Sequence, residues 1–256
     1  ISKKNHLILN KLCKKLKLKY ACSAFDFDSL VFLDKKLKVP FFKIPSGEIN
    51  SPDMIDYISK SKKNIILSTG MATYEEIKFV LKKLKKNGNK NITILHCVSS
   101  YPVQKKNINL NIMDEIKRRF KCEVGYSDHS LGEEACLAAV SKGAKIIEKH
   151  VTISNSLNGP DHKASITIDK LKLLVNKIRD LEIILGSKEK KFTKDELNNK
   201  KVSRKSLVTL VNLKKNHVLK KSDITFKRPG IGISPIKLKT VLGKKIKRNI
   251  KENTII

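Results

Sequence analysis

The sequence predicts an α/β fold: a (β/α)8 TIM-type barrel, incomplete by two strands, followed by a small β-rich domain. Three observations carry this. Short β-rich runs alternate with amphipathic helical stretches as far as Gly186, which implies a parallel sheet with helices outside it. The runs recur at an average near the ~30 residues of one barrel unit. No GxGxxG turn follows the first run, which disfavours a doubly wound open sheet.

The strand candidates, in order, are KYACSAF (19–25), FFKI (41–44), NIILST (64–69), ITILHC (92–97), CEVGYS (122–127) and KIIEKH (145–150). Helix starts lie between them. Ser51-Pro52 reads as an N-cap before a proline at the first helical position. Thr73 with Glu76, and Ser130 with Glu133, have capping-box spacing. LKLLVNKIRDLEIILG (171–186) is an amphipathic helix that closes on Gly186. The polar stretch 187–201 then suits a linker. Residues 202–256 give short strand-like pieces, SLVTLV, DITFKR and TVLGKKI, broken by turns. Six strands in the first domain are two fewer than a closed barrel needs.

At 256 residues and 40% apolar content the chain can bury a sizeable core. No run approaches the roughly 18–20 apolar residues of a membrane span, and no signal-peptide pattern opens the sequence. The first residue is Ile1, so the start of translation is expected upstream. The net charge of +31 invites a nucleic-acid reading. Against it, lysines are spread over every helix, Lys far outnumbers Arg, and only 5% of residues are aromatic, with no Trp. That pattern fits a compositional bias with solvated lysines, and no nucleic-acid partner is expected. The charge still favours an anionic substrate. Five cysteines form no CxxC pair, as expected for reduced thiols of a cytoplasmic protein.

Polar residues gather after each strand, where α/β sheets bind ligands: Ser23, then Lys43, Ser46 and Glu48, then STGM, HCVSSYP, GYSDHS and EKH…GPDHK. Six consecutive cases point to a polar, phosphorylated or carboxylated ligand. His129 and His150 end neighbouring segments. Spacing alone leaves two readings open, a metal pair completed by water and substrate oxygens or two ordinary buried histidines. Lys43 can pair with phosphate or carboxylate, or extend to solvent. Glu48 can orient a sugar hydroxyl or cap the next helix, and Asp161 sits in a turn-forming stretch. His96 reads as structural, and His162 and His217 carry no assignment.

Together FFKIPSGEI, ILSTGMAT, ILHCVSSYPV, GYSDHSLGEEA, IIEKHVT and GPDHKAS resemble the sialic acid synthase family, N-acetylneuraminate synthases and their legionaminate relatives. The tail SLVTLVNLKKNHVLKKSDITFKRPGIGISP resembles that family's antifreeze-like, or SAF, domain. The resemblance implies a synthase domain over 1–186 and a SAF domain over 202–256. It also implies a reaction, the condensation of phosphoenolpyruvate with an open-chain N-acetylated hexosamine such as N-acetylmannosamine. The products are a nine-carbon 2-keto acid and phosphate.

By the same resemblance, His129 and His150 match two manganese ligands, with Mg2+ as the other candidate ion. Lys43, Ser46 and Ser127 match residues that hold phosphoenolpyruvate. Ser23, in CSAF, stands where the family usually has threonine in STPF. Ser99 stands where some members have asparagine. Glu48, Tyr101 and Asp161 match sugar-side positions. Arg228 matches an arginine offered to the sugar's acyl group across a domain-swapped homodimer. The family's first two strands carry a catalytic glutamate and a lysine for phosphoenolpyruvate, whereas this sequence enters at what reads as the helix before the third strand. It is therefore expected to be N-terminally truncated. KIPSGEI in place of an SFEI form argues against the pseudaminate branch. It does not separate sialate from legionaminate synthases, the latter using a 2,4-diacetamido-trideoxy sugar. The alternative of another class is a non-catalytic carbohydrate-binding or assembly protein.

Overall fold

A computed structural model describes residues 1–256. The chain divides into two compact units, Ile1–Gly186 and Ser187–Ile256.

The first unit opens with helices α1 (Lys3–Lys15) and α2 (Phe27–Lys35). Strand–helix pairs follow: β1 (Phe41–Ile44) with α3 (Pro52–Ser59), β2 (Asn64–Ser68) with α4 (Tyr74–Lys86), and β3 (Ile92–Cys97) with α5 (Ile112–Phe120). Then come β4 (Glu123–Asp128), α6 (Glu134–Ser141), β5 (Ile147–Lys149), and the two-residue strands β6 (Val151–Thr152) and β7 (Ile166–Thr167). The unit closes on α7 (Ile168–Leu185), stopped by Gly186 at φ 51°.

Strands β1 to β5 pair in parallel and in chain order. Alternation along them decides what faces where. Phe42, Ile44, Ile65, Leu67, Ile92, Ile94, Val124 and Tyr126 are buried in one hydrophobic cluster with residues of the surrounding helices, including Ile55, Ile58, Leu81, Leu84, Met113 and Ile116. The intervening positions, Lys43, Ser68, Cys97, Ser127 and Glu148, share the other face.

That face is concave. A flat five-stranded sheet would hold its edge strands about 19 Å apart, four spacings of ~4.8 Å. Lys43 on β1 instead reaches Glu148 on β5, with Nζ 3.3 Å from Oε2. The sheet therefore curls into a half-barrel, with its helices on the convex side.

Thr73 and Glu76 form the full capping box at the head of α4, and Pro52 takes the first turn of α3 after Ser51. Three local expectations fail. Residues 19–25 do not form a strand. Tyr20, Cys22 and Ala24 still pack on the core at every second position; this alternation reports one-sided burial, while a strand also needs ladder partners, which this backbone does not find. The Ser130–Glu133 capping box is absent, because the Ser130 amide and hydroxyl both donate to Asp128 Oδ1, and α6 starts only at Glu134. The run 145–150 gives a strand only over β5, and the chain then leaves the sheet to pair β6 with β7.

In the second unit, α8 (Lys194–Ser203) begins on a capping box of Thr193 and Glu196, so the stretch expected as a linker is half helical. β8 (Ser206–Thr209) and β9 (Ile224–Lys227) pair antiparallel over a core of Leu207, Leu213, Leu219 and Ile224. The strand-like 240–246 forms no ladder. It holds the end of a short helix, α9 (Leu238–Val241), and then turns at Gly243, φ 78°.

Candidate active site

The C-terminal ends of β1 to β5 bring most of the predicted residues to one place. Lys43 is the last concave-facing residue of β1, with its side chain 11% exposed. Ser127 and Glu148 are register partners on β4 and β5, and the Ser127 hydroxyl donates to Glu148 Oε1 at 2.6 Å. Glu148 thus joins Ser127 to Lys43 through its two oxygens. Beyond Lys43 a short turn carries Ser46, whose hydroxyl lies 3.5 Å from that of Ser99 in the loop after β3. The close seating of Ser99 requires Gly70, where an added Cβ would stand 2.4 Å from Ser99 Oγ.

The imidazoles of His129 and His150 stand at right angles, with centroids 5.4 Å apart, and the Tyr101 ring covers both at 4.1 and 5.6 Å. The Nδ1–H of His129 donates to Val98 O at 2.7 Å, which fixes the tautomer and leaves Nε2 with a free lone pair beside Ser127 Oγ at 3.4 Å. Burial pushes the His129 pKa below its ordinary value, against the opposing pull of the Val98 carbonyl. A neutral ring is the form that ligates metal. The Asp161 carboxylate stands 3.5 Å from His150 Nδ1. These features suit a divalent cation. No group of three or more His, Cys, Asp or Glu side chains converges on one point, so the two imidazoles would need water or substrate oxygens to complete a coordination shell.

Two predicted residues of the first unit stand apart from the cluster, and a third belongs to the second unit. The Glu48 carboxylate is held by Ser51 Oγ at 2.6 Å, at the head of α3. Ser23 is half-buried in the segment 19–25, and no hydrogen bond ties its hydroxyl to the others. Arg228 belongs to the second unit, where it follows β9 directly and is exposed.

Two residues escaped the sequence reading. Ser68 ends β2 on the concave face. It is buried, and its hydroxyl has no protein partner, so its donor is free on the concave face. Glu148 precedes His150 by two residues. The period of a strand places such a pair on one face, so the signal was present in KIIEKH.

Residues 1–190 match the NeuB family and residues 204–256 match the SAF domain. The chain is 43% identical over 245 residues to the N,N'-diacetyllegionaminic acid synthase of Campylobacter jejuni, covering 95% of this chain and 73% of that one. It is 35% identical over 260 residues to the corresponding synthase of Legionella pneumophila, covering 100% of this chain and 73% of that one. Among solved structures it resembles the N-acetylneuraminic acid synthetase of Leptospira borgpetersenii, with a TM-score of 0.73 at 33% identity, over 78% of this chain and 69% of that one. On both sequence and structure, the chain is a member of the NeuB family that carries a SAF domain.

Proposed function

We propose that this chain condenses phosphoenolpyruvate with an open-chain N-acetylated aminosugar, as the core of an enzyme of sialic-acid-type sugar biosynthesis. In this reaction the enol methylene carbon attacks the sugar aldehyde, water adds to C2, and phosphate leaves with C–O cleavage. The observation that carries the reading is the cluster of Lys43, Ser68, Ser127 and Glu148 at one end of a half-barrel, beside two histidines.

The Lys43 ammonium and the Ser46, Ser68 and Ser127 hydroxyls supply the donors that a trianionic substrate needs. Glu148, anchored by Ser127, is the carboxylate placed to orient water and take its proton. Tyr101, Ser99 and Asp161 face the sugar side, joined by Glu48 and Ser23 if their loops close on the substrate. His129 and His150 would hold a divalent ion, manganese with magnesium as the alternative, which would supply Lewis acidity toward the aldehyde oxygen. Arg228 acts on the sugar's acyl group across a domain-swapped homodimer. We read the half-barrel as an arc of a (β/α)8 barrel that lacks its first two strands. The five free cysteines fit a reducing, cytoplasmic setting.

For the sugar, the likeness to legionaminic acid synthases and to an N-acetylneuraminic acid synthetase supports N-acetylmannosamine and a 2,4-diacetamido-trideoxy hexose alike. The deciding experiment measures phosphate release from phosphoenolpyruvate with each sugar, with and without Mn2+. Manganese-dependent release that disappears in His150→Ala supports the proposal. Sugar binding without release would leave a carbohydrate-binding protein.

A further inference from the structure

Asp128 and Lys149 are register partners on β4 and β5, and each immediately precedes one of the two histidines. Alternation turns them away from the concave face, into the layer between sheet and helices. There Lys149 Nζ donates to Asp128 Oδ2 and to Ser130 O, both at 2.6 Å. Asp128 Oδ1 accepts from Tyr126 Oη at 3.0 Å, from the Ser130 amide at 2.9 Å and from Ser130 Oγ at 2.7 Å. Its Oδ2 also accepts from Cys136 Sγ at 3.1 Å. The two side chains are 4% and 0% exposed for Lys149 and Asp128.

A buried ion pair is weak evidence for stability, because desolvation consumes most of the attraction, and apolar replacements often cost nothing. What such a pair does supply is a fixed geometry. Here the bonds tie the ends of β4 and β5 together one residue before each imidazole, and Ser130 extends the tie to the residue after His129. We infer that Asp128 and Lys149 are positioning residues that set the spacing and orientation of His129 and His150 for a divalent cation. This rests on the reading that those histidines hold the ion.

The test titrates Mn2+ alone into the full chain and follows the free ion by electron paramagnetic resonance. The variants are His150→Ala and the double variant Asp128→Asn/Lys149→Met, which keeps the buried volume and leaves no lone charge. Circular dichroism and thermal melting accompany each. The expected result is a folded double variant that binds Mn2+ about 10-fold more weakly, the low end of the cost of losing a direct outer-shell partner, since the pair acts on the imidazoles through the backbone. A folded double variant with unchanged affinity overturns the inference. So does one that cannot fold, since the pair would then serve stability. If the unaltered chain binds no Mn2+, or His150→Ala binds it equally well, the metal assignment itself fails and takes the inference with it.

Discussion

Lys43 and Glu148 occupy the two edge strands of the sheet, yet their charged atoms lie 3.3 Å apart. Only a curled sheet permits this, so one ion pair reports the half-barrel and marks the end of it proposed to bind the ligand. In this pair Glu148 neutralises the cation that is proposed to meet the phosphate or carboxylate of the substrate.

The first prediction follows from that competition. Lys43→Met is expected to weaken phosphoenolpyruvate binding about 10- to 100-fold, the worth of a charge-assisted hydrogen bond. Glu148→Gln keeps an acceptor for Ser127 but releases Lys43, so binding is expected to tighten while phosphate release falls about 100-fold or more for want of a base. Titration calorimetry and a phosphate assay read the two effects separately. Unchanged affinity in Lys43→Met would remove the lysine from the site.

Gly70 yields a steric prediction. A methyl group there would stand 2.4 Å from Ser99 Oγ and 2.9 Å from Cys97 Sγ, closer than any relaxed contact. Gly70→Ala is expected to destabilise the chain by about 1–3 kcal/mol, the usual cost of overpacking, and to displace Ser99 from Ser46. Adding Ser99→Gly should recover part of the melting temperature, since the Cys97 Sγ contact remains. A lack of recovery would mean that the strain comes from Cys97 and not from Ser99.

These residues also show what the sequence could and could not reveal. Short β-rich runs located β1 to β5, because burial fills these strands with Ile, Leu, Val and Phe, and polar loops marked the C-terminal ends of the strands. The same signal misread 19–25, where Ala24 is buried but the backbone lacks ladder partners. Ser130 looked like a helix cap because local spacing cannot register a competitor, and Asp128 captures its hydroxyl. Ser68 was invisible for a different reason. A serine at a strand end is common, and only the absence of a partner, a three-dimensional fact, singles it out.

Acid sensitivity is the third prediction. His96 donates from Nε2 to Ile108 O at 2.7 Å, and burial holds its pKa below the ordinary value, as it does for His129. Each ring therefore binds a proton less readily folded than unfolded. The stability this contributes is present above the unfolded value of about 6.5 and is lost as pH falls from there toward the folded values. Asp128 does not enter this window. Burial raises its pKa, but the Lys149 ammonium and the Ser130 donors outweigh burial and leave it below the ordinary carboxylate value. The melting temperature should drop between pH 7.5 and pH 5.5, and drop less in His96→Gln, which keeps a donor for Ile108 O but cannot titrate. Identical pH slopes would exclude His96 as a source.

Arg228 carries the last prediction, because it lies in the second unit and is proposed to act on the sugar bound by a partner chain. Arg228→Ala is expected to raise the KM for the sugar about 10-fold or more, as for a lost charged hydrogen bond, with the KM for phosphoenolpyruvate unchanged. Equal losses for both substrates would argue against a sugar-side role. The exchange of domains has its own signature. If Arg228 serves its partner's site, a mixed dimer of Arg228→Ala and His150→Ala chains holds one doubly defective site and one intact site. Random pairing of equal amounts makes half the dimers mixed, so roughly one quarter of all sites should regain full activity. If Arg228 serves its own chain, every site in the mixture keeps one defect, and mixing restores nothing.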